Sequence, residues 1–275
     1  MLKSRKAIEL MSATQSIAMQ PKSEPNYAHA QPIWVFESHT GKEISRGAAA
    51  IARKCRGADS AELTGLTGSN YAIPTRDVAD KLLSWDTIKQ RVQDLIATAK
   101  DQPELHFKLV PNALKKSAAE HQKFADLFHN APANVELTGR MLESLGRLGS
   151  VKIVFLDANI TVDHSERKRV LDQYFAANEG LWNAEYIEII SFGSALSIVA
   201  NDKYASGRGY RHRIVNVDTT IYGEYTAQAR ELLSVARATK LVCLNDPTGT
   251  TTGSLVGALQ LATGAGLQID ELLIQ

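Results

Sequence analysis

The sequence predicts two three-layer α/β domains with mostly parallel sheets, preceded by an extended N-terminal arm. Three observations carry that expectation. Short apolar runs alternate with helical stretches between residues 33 and 262, the pattern of parallel sheets covered on both faces. A glycine- and serine-containing stretch, LESLGRLGS, interrupts the alternation before a strong new strand. The length of 275 residues suits two domains, each able to bury a core. The expected division is an arm over 1–32, a first domain over 33–145 and a second over 150–275.

The arm contains Pro21, Pro25 and Pro32, which favour extended chain, and residues 7–11 can form a short helix. It reads as a mobile tail or as an arm that docks on a neighbouring subunit or partner. Residues 33–36 are a short apolar run, hence a buried strand. An alanine-rich helix follows at 47–56, and a strand at 71–74 that Pro74 stops. Residues 85–100 form an amphipathic helix, with Ile88, Val92, Leu95 and Ile96 on one face and Ser84 as its cap. A strand at 105–110, a helix at 118–128 and an extended piece at 134–137 complete the first unit.

In the second unit, strands are expected at 151–156, 186–191, 214–217 and 241–244. Helices are expected at 165–177, 197–206, 226–238 and 254–262. Asp163 followed by Glu166 is a capping pattern for the first of these helices.

Composition excludes several classes. Hydrophobic residues make up 44% and charged residues 22%, and the net charge of +1 gives no pull towards nucleic acid or membrane. No apolar run approaches the roughly 20 residues of a membrane helix, and the basic start lacks the apolar core of a secretory signal. Cys55 and Cys243 are the two cysteines, read as separate reduced thiols in a reducing compartment such as the cytoplasm.

Catalytic and metal chemistry find little support. Ser38, His39 and Asp77 are the residue types of a hydrolytic triad, yet neighbours on a strand point in opposite directions. Asp157, Asp163 and Asp246 fall beyond strand ends, where ligands gather in open α/β sheets, and capping explains them equally well. None of the 7 histidines has metal-ligand spacing. No cofactor and no metal are expected. The string Arg208-Gly209-Tyr210-Arg211-His212-Arg213 interleaves an aromatic with bases, as nucleic-acid contacts do, but lies where solvated charge is usual. Nucleic acid is therefore not an expected partner.

Two sets of residues carry resemblances. In the first unit, Phe36, Ser38, Gly47, Ala48 and Ala49, with the string Gly65-Leu66-Thr67-Gly68-Ser69-Asn70-Tyr71-Ala72-Ile73-Pro74-Thr75-Arg76-Asp77, resemble a phage and bacterial macro-domain-like family over about 33–137. The departures are Glu37 for a glycine, His39 for an asparagine and Glu43-Ile44-Ser45 for Arg-His-Gly. The family's second glycine loop stands here as Pro111-Asn112-Ala113-Leu114-Lys115-Lys116. In the second unit, Thr161, Asp163, Ser191, Gly193 and Arg230 resemble the YspA-like branch of the SLOG superfamily, Rossmann-like relatives of DprA, over about 151–266. Its arginine and aspartate have become Ala195 and Ile198. The turn Asp246-Pro247-Thr248-Gly249-Thr250-Thr251-Thr252-Gly253-Ser254 keeps the form of a phosphate seat at a helix start, and equally that of a capped turn.

The resemblances imply descent from nucleotide-derived ligand sites whose cradles are crowded by side chains, with Glu37 adding charge repulsion. Any retained ligand contact falls to Ser38, Gly47, Gly193, Arg230, Asp246, Gly249, Thr250, Gly253 and Ser254. The leading functional expectation is a phage-encoded, non-catalytic protein that assembles or binds a protein partner through its arm, as a virion or other structural component. The alternatives are a sensor or sequestering protein for an NAD-derived or cyclic nucleotide, and an enzyme acting on ADP-ribose or a nucleotide.

Overall fold

The computed structural model describes residues 31–40, 47–58, 64–111, 116–157, 164–182, 186–245 and 253–274. The arm to residue 30, Asp163, Asp246, Gly249 and Thr250 lie outside them. The chain is α/β, built on two five-stranded sheets flanked by helices.

The first sheet takes β1 (Ile33–His39), β2 (Gly65–Thr67), β3 (Asn70–Arg76), β4 (Phe107–Leu109) and β5 (Val135–Glu136), in the order β2-β3-β1-β4-β5. Only β2 is antiparallel, as the short arm of a hairpin with β3. Its helices are α1 (Gly47–Cys55), α2 (Trp85–Asp101), α3 (Ala118–Asp126) and α4 (Gly139–Ser144). The second sheet takes β6 (Ser150–Asp157), β7 (Tyr186–Ser191), β8 (Arg211–Ile214), β9 (Lys240–Asn245) and β10 (Gln268–Leu273), all parallel, in the order β10-β9-β6-β7-β8. Its helices are α5 (His164–Asn178), α6 (Ala195–Arg208), α7 (Thr219–Tyr222), α8 (Thr226–Arg237) and α9 (Gly253–Gly264).

Local signals explain the helices. Ser84 accepts from the Thr87 backbone N–H to open α2, and Ile88, Val92, Leu95 and Ala99 face inward. Ser117 and Glu120 form a reciprocal capping box at α3. Gly209, at φ +70°, closes α6 in the left-handed conformation that glycine adopts without strain.

Three differences from the expected elements have physical reasons. Strand β8 occupies Arg211–Ile214 rather than 214–217, and so lies across the basic string. Being an edge strand, it can carry charge: Arg213 donates to Glu188 at 2.6 Å and Arg211 lies 4.0 Å over the Tyr186 ring. Strand β10 is an edge whose sequence, QIDELL, has no continuous apolar run to announce it. The short β2, α4 and α7 leave too few residues for a period to show.

The alternation in β1 organises the core. Ile33 and Val35 face α2 and α3, whereas Trp34 and Phe36 face the opposite side. On that side a single crossover helix, α1, serves the first sheet. The remainder of the layer comes from the second half of the chain: Tyr222, Ala229, Leu232, Val235, Ala258 and Leu261 join Trp34, Phe36, Ala48 and Ile51 in one buried cluster. Helices α5 and α6 close the far face of the second sheet with Leu171, Phe175 and Tyr204. The molecule is therefore layered as α2–α3, first sheet, shared helices, second sheet, α5–α6.

The two sheets run in opposite directions across the shared layer. Trp34, at the amino end of β1, stacks on Tyr222, which follows the carboxyl end of β8, with ring centroids 5.7 Å apart. At the other end α4, beyond β5, meets the end of α8 just before β9. There Gly139 lies so close that an added Cβ would sit 2.4 Å from the Arg237 carbonyl oxygen. The α3 ring of His121 likewise packs against Gly266, just before β10.

Gly139→Val should therefore lower stability in urea by about 1–3 kcal/mol, as forced overpacking does. Gly149→Ala, where nothing lies within 4 Å, should stay within about 0.5 kcal/mol of the parent. Because one buried cluster draws on both halves, both variants should unfold in a single transition; two separated steps would show halves that fold independently.

Candidate functional site

In the first sheet the crossovers from β1 to β3 and from β3 to β4 proceed in opposite senses, so the chain direction switches between β1 and β4. Open α/β sheets bind ligands outside the carboxyl ends at such a point. A small cleft lies there, between Glu37, Pro111, Lys116, His121 and Arg140, with Gly264 and Ala265 of the second half closing one side.

An ion pair spans this cleft. The Lys116 ammonium group donates to the Glu37 carboxylate, and the two side chains are 4% and 14% exposed. The Lys116 ammonium also lies 4.1 Å over the Phe124 ring, a cation–π contact that fixes its position. The expected repulsion from Glu37 is thus corrected: its charge is neutralised by Lys116. The space is taken by a salt bridge rather than guarded by a bare negative charge.

The rest of the lining is only partly satisfied, since His121 Nε2 and Arg140 Nε are buried without a hydrogen-bond partner. Arg140 pairs with Glu143 at 2.6 Å. His121 has its imidazole pKa lowered, first by burial and then by the Lys116 charge, so it stays neutral near pH 7. Ser38 is fully buried at the end of β1, and Gly47 opens α1 at φ +63°. His39 meets Asp80 at 2.8 Å, while Asp77 accepts from the backbone N–H groups of Ala79 and Lys81 at 2.9 Å each. Ser38, His39 and Asp77 therefore form no triad.

In the second sheet the switch point falls between β6 and β9. Gly193 (φ +96°, exposed), the α6 cap Ser194, Arg230 on α8 and the start of α9 at Gly253 all belong to its carboxyl edge. Ser254 lies in the first turn of α9. The Arg230 Nε is buried without a hydrogen-bond partner. The site residues thus separate into two groups at opposite ends of the molecule, Ser38 and Gly47 at one and Gly193, Arg230, Gly253 and Ser254 at the other. Asp246, Gly249 and Thr250 are outside the described residues.

One constellation escaped the sequence reading. Ser191 Oγ lies 2.9 Å from His212 Nε2, and His212 Nδ1 lies 3.0 Å from Asp202. These are the contacts of a serine–histidine–aspartate relay, recognised by geometry rather than order. Ser191, however, has no exposed surface, and its Oγ also accepts from Asn201 at 2.8 Å, with Arg167 donating to Asn201 in turn. A nucleophile so covered and so held cannot meet a substrate carbonyl. The network instead ties α5, α6, β7 and β8 together. The residues are 11 and 10 positions apart across a strand, a helix and another strand, so only the fold brings them together. The basic string is consumed here too: Arg208 pairs with Asp172, and Arg213 with Glu188.

Among the described residues, no group of three or more histidine, cysteine, aspartate or glutamate residues could hold a metal, and no helix is long and apolar enough to cross a membrane. No protein-family model and no curated protein matches the chain. Among solved structures, formimidoylglutamase from Bacillus subtilis is 11% identical, covering 98% of this chain and 90% of its own, with a TM-score of 0.22. A superposition that poor carries no argument about fold or activity.

Glu231 on α8 is the site's outlying ionisable group. It is buried against Gly257 of α9, and burial alone pushes its carboxyl pKa up to about 7. A folded-state pKa above the unfolded value of 4.5 favours the folded protein at low pH, and that contribution is lost as pH rises from about 4.5 to about 7. Glu231→Gln should remove this slope and exceed the parent in stability at pH 8 by on the order of 2 kcal/mol. Urea titrations at pH 4 and pH 8 measure it; equal differences at both would refute the assignment.

Proposed function

We propose that this chain is a phage-encoded, non-catalytic scaffold in which two nucleotide-site architectures serve assembly or protein-partner binding, as a virion or other structural component. It acts in the host cytoplasm or in the particle. The macro-like and SLOG-like resemblances supply the ancestry. The observation that carries the reading is the largely buried Glu37–Lys116 pair across the first switch-point cleft. A phosphate entering there must displace a lysine held by both a carboxylate and an aromatic ring, leaving Glu37 buried beside an anion. The covered Ser191 argues in the same direction, because the relay-like arrangement seen among the described residues has no reachable nucleophile.

The second reading, a sensor for an NAD-derived or cyclic nucleotide, is favoured by one feature. Arg230, with its buried unpartnered Nε, shares an edge with Gly193 and the start of α9. Calorimetry with ADP-ribose, AMP and cyclic ADP-ribose separates the two. The scaffold reading expects no micromolar binding, whereas micromolar binding abolished by Gly253→Glu establishes the sensor. Native mass of the full chain and of a chain lacking residues 1–30 tests assembly. An oligomer lost on truncation is expected, and an unchanged monomer in both counts against it.

A further inference from the structure

The second sheet ends on both sides in a strand with no further strand beyond it, and the two edges carry opposite charge. At one edge β8 reads Arg211-His212-Arg213-Ile214; at the other β10 reads Gln268-Ile269-Asp270-Glu271-Leu272-Leu273. Arg211 is exposed beside the Tyr186 ring and Glu271 is exposed, and neither has an ion-pair partner among the described residues. An edge strand is a template for another strand. Charge sets which one: β8 repels β8 and β10 repels β10, whereas β8 and β10 attract.

Backbone alternation fixes the groups that point outward. Val215 donates to the Ser191 carbonyl, so the odd-numbered residues of β8 face β7, and His212 and Ile214 turn their N–H and C=O groups outward. Ile274 donates to the Asn245 carbonyl, so the even-numbered residues of β10 face β9, and Ile269, Glu271 and Leu273 point outward. Among the described residues nothing bonds these outward groups. The side-chain faces agree as well. His212 meets Asp202 of α6, and Asp270 accepts from Tyr174 of α5, so both lie on the α5–α6 face. Val215 and Ile269 pack into the shared layer, which places Arg211, Arg213 and Glu271 on that opposite face.

A parallel register with residues 211–214 beside residues 269–272 of another copy satisfies both patterns. The His212 N–H then meets the Ile269 carbonyl and the Ile214 N–H the Glu271 carbonyl. The Glu271 N–H meets the His212 carbonyl and the Leu273 N–H the Ile214 carbonyl. Arg213 stands opposite Glu271 with Arg211 diagonal to it, His212 stands opposite Asp270, and Ile214, 44% exposed, stands opposite Leu272.

We propose that copies of this chain join head to tail, β8 of one pairing in parallel with β10 of the next, so that their second sheets become one continuous sheet. The contact is heterologous: every added copy brings a free edge, and growth closes into a ring or continues as a filament. The inference rests on the assembly branch of the scaffold reading and adds a second contact to the arm.

Edge-blocked variants of the full-length chain test the pairing, with particle mass read by sedimentation velocity across a hundredfold range of concentration. Arg211→Glu brings a carboxylate to Glu271 of the next copy, and Glu271→Arg brings a guanidinium to Arg211 and Arg213. Each variant alone should need about tenfold more protein for half-assembly. Mixed in equal amounts the two should pair at the parent's concentration, because the first keeps a native β10 and the second a native β8. A misfolded variant could not be rescued by mixing. Assembly indifferent to both substitutions, or lost without rescue on mixing, overturns the edge pairing and leaves the scaffold reading with its arm. A parent chain that stays monomeric at every concentration overturns the pairing and the assembly branch together.

Discussion

The structure depends on one buried cation. Arg56 ends the first helix, 6% exposed, with its plane 4.6 Å over the Trp34 ring. It donates to the Tyr222 hydroxyl, to Gln31, and to the carbonyls of Pro32 and Ser69. A guanidinium taken out of water needs such partners in its own plane, and lysine could not supply the fork. Those partners come from the arm root, the β2–β3 turn and the second half of the chain. One residue thereby sets where the halves meet and which end of each sheet faces the other.

Consequences run outward from that alignment. With the sheets opposed, the carboxyl end of the first lies beside the amino end of the second. The turn at Gly264–Gly266 then roofs the first switch-point cleft, and His121 can pack on Gly266. Inside that cleft stands a matched pair of charges. Glu37 alone would be a largely buried carboxylate without compensation, and Lys116 alone a buried ammonium; together they neutralise each other, so neither charge is buried unpaired. The opposite end differs, because the carboxyl edge of the second sheet keeps exposed apolar residues.

The hydrogen-bonded set at Ser191, His212 and Asp202 illustrates how residue chemistry and residue function part company. Its distances suit proton transfer, yet its nucleophile lies between a helix and a sheet. Asn201 and Arg167 complete a chain of donors and acceptors whose work is to bind four elements at one corner of the sheet. Accessibility, not geometry within the set, decides its role.

Much of the architecture was legible in sequence because burial on two faces leaves continuous apolar runs. IWVF, KIVFL and LVCL stand out as β1, β6 and β9, and the period of Ile88, Val92 and Leu95 marks α2. Caps such as Ser84 and Ser117 are equally readable, since they act within one helical turn. Edge elements were not: β8 and β10 bury little and carry charge, so no apolar signal survives. Chain order does not reveal that Glu37 and Lys116, 79 positions apart, would meet. Sequence alone determined the class of fold and the caps of its helices, both of which are local properties. Tertiary structure alone decided the opposed sheets, the shared helical layer and the charge pair. Those arise from contacts between distant segments, and no local pattern encodes them.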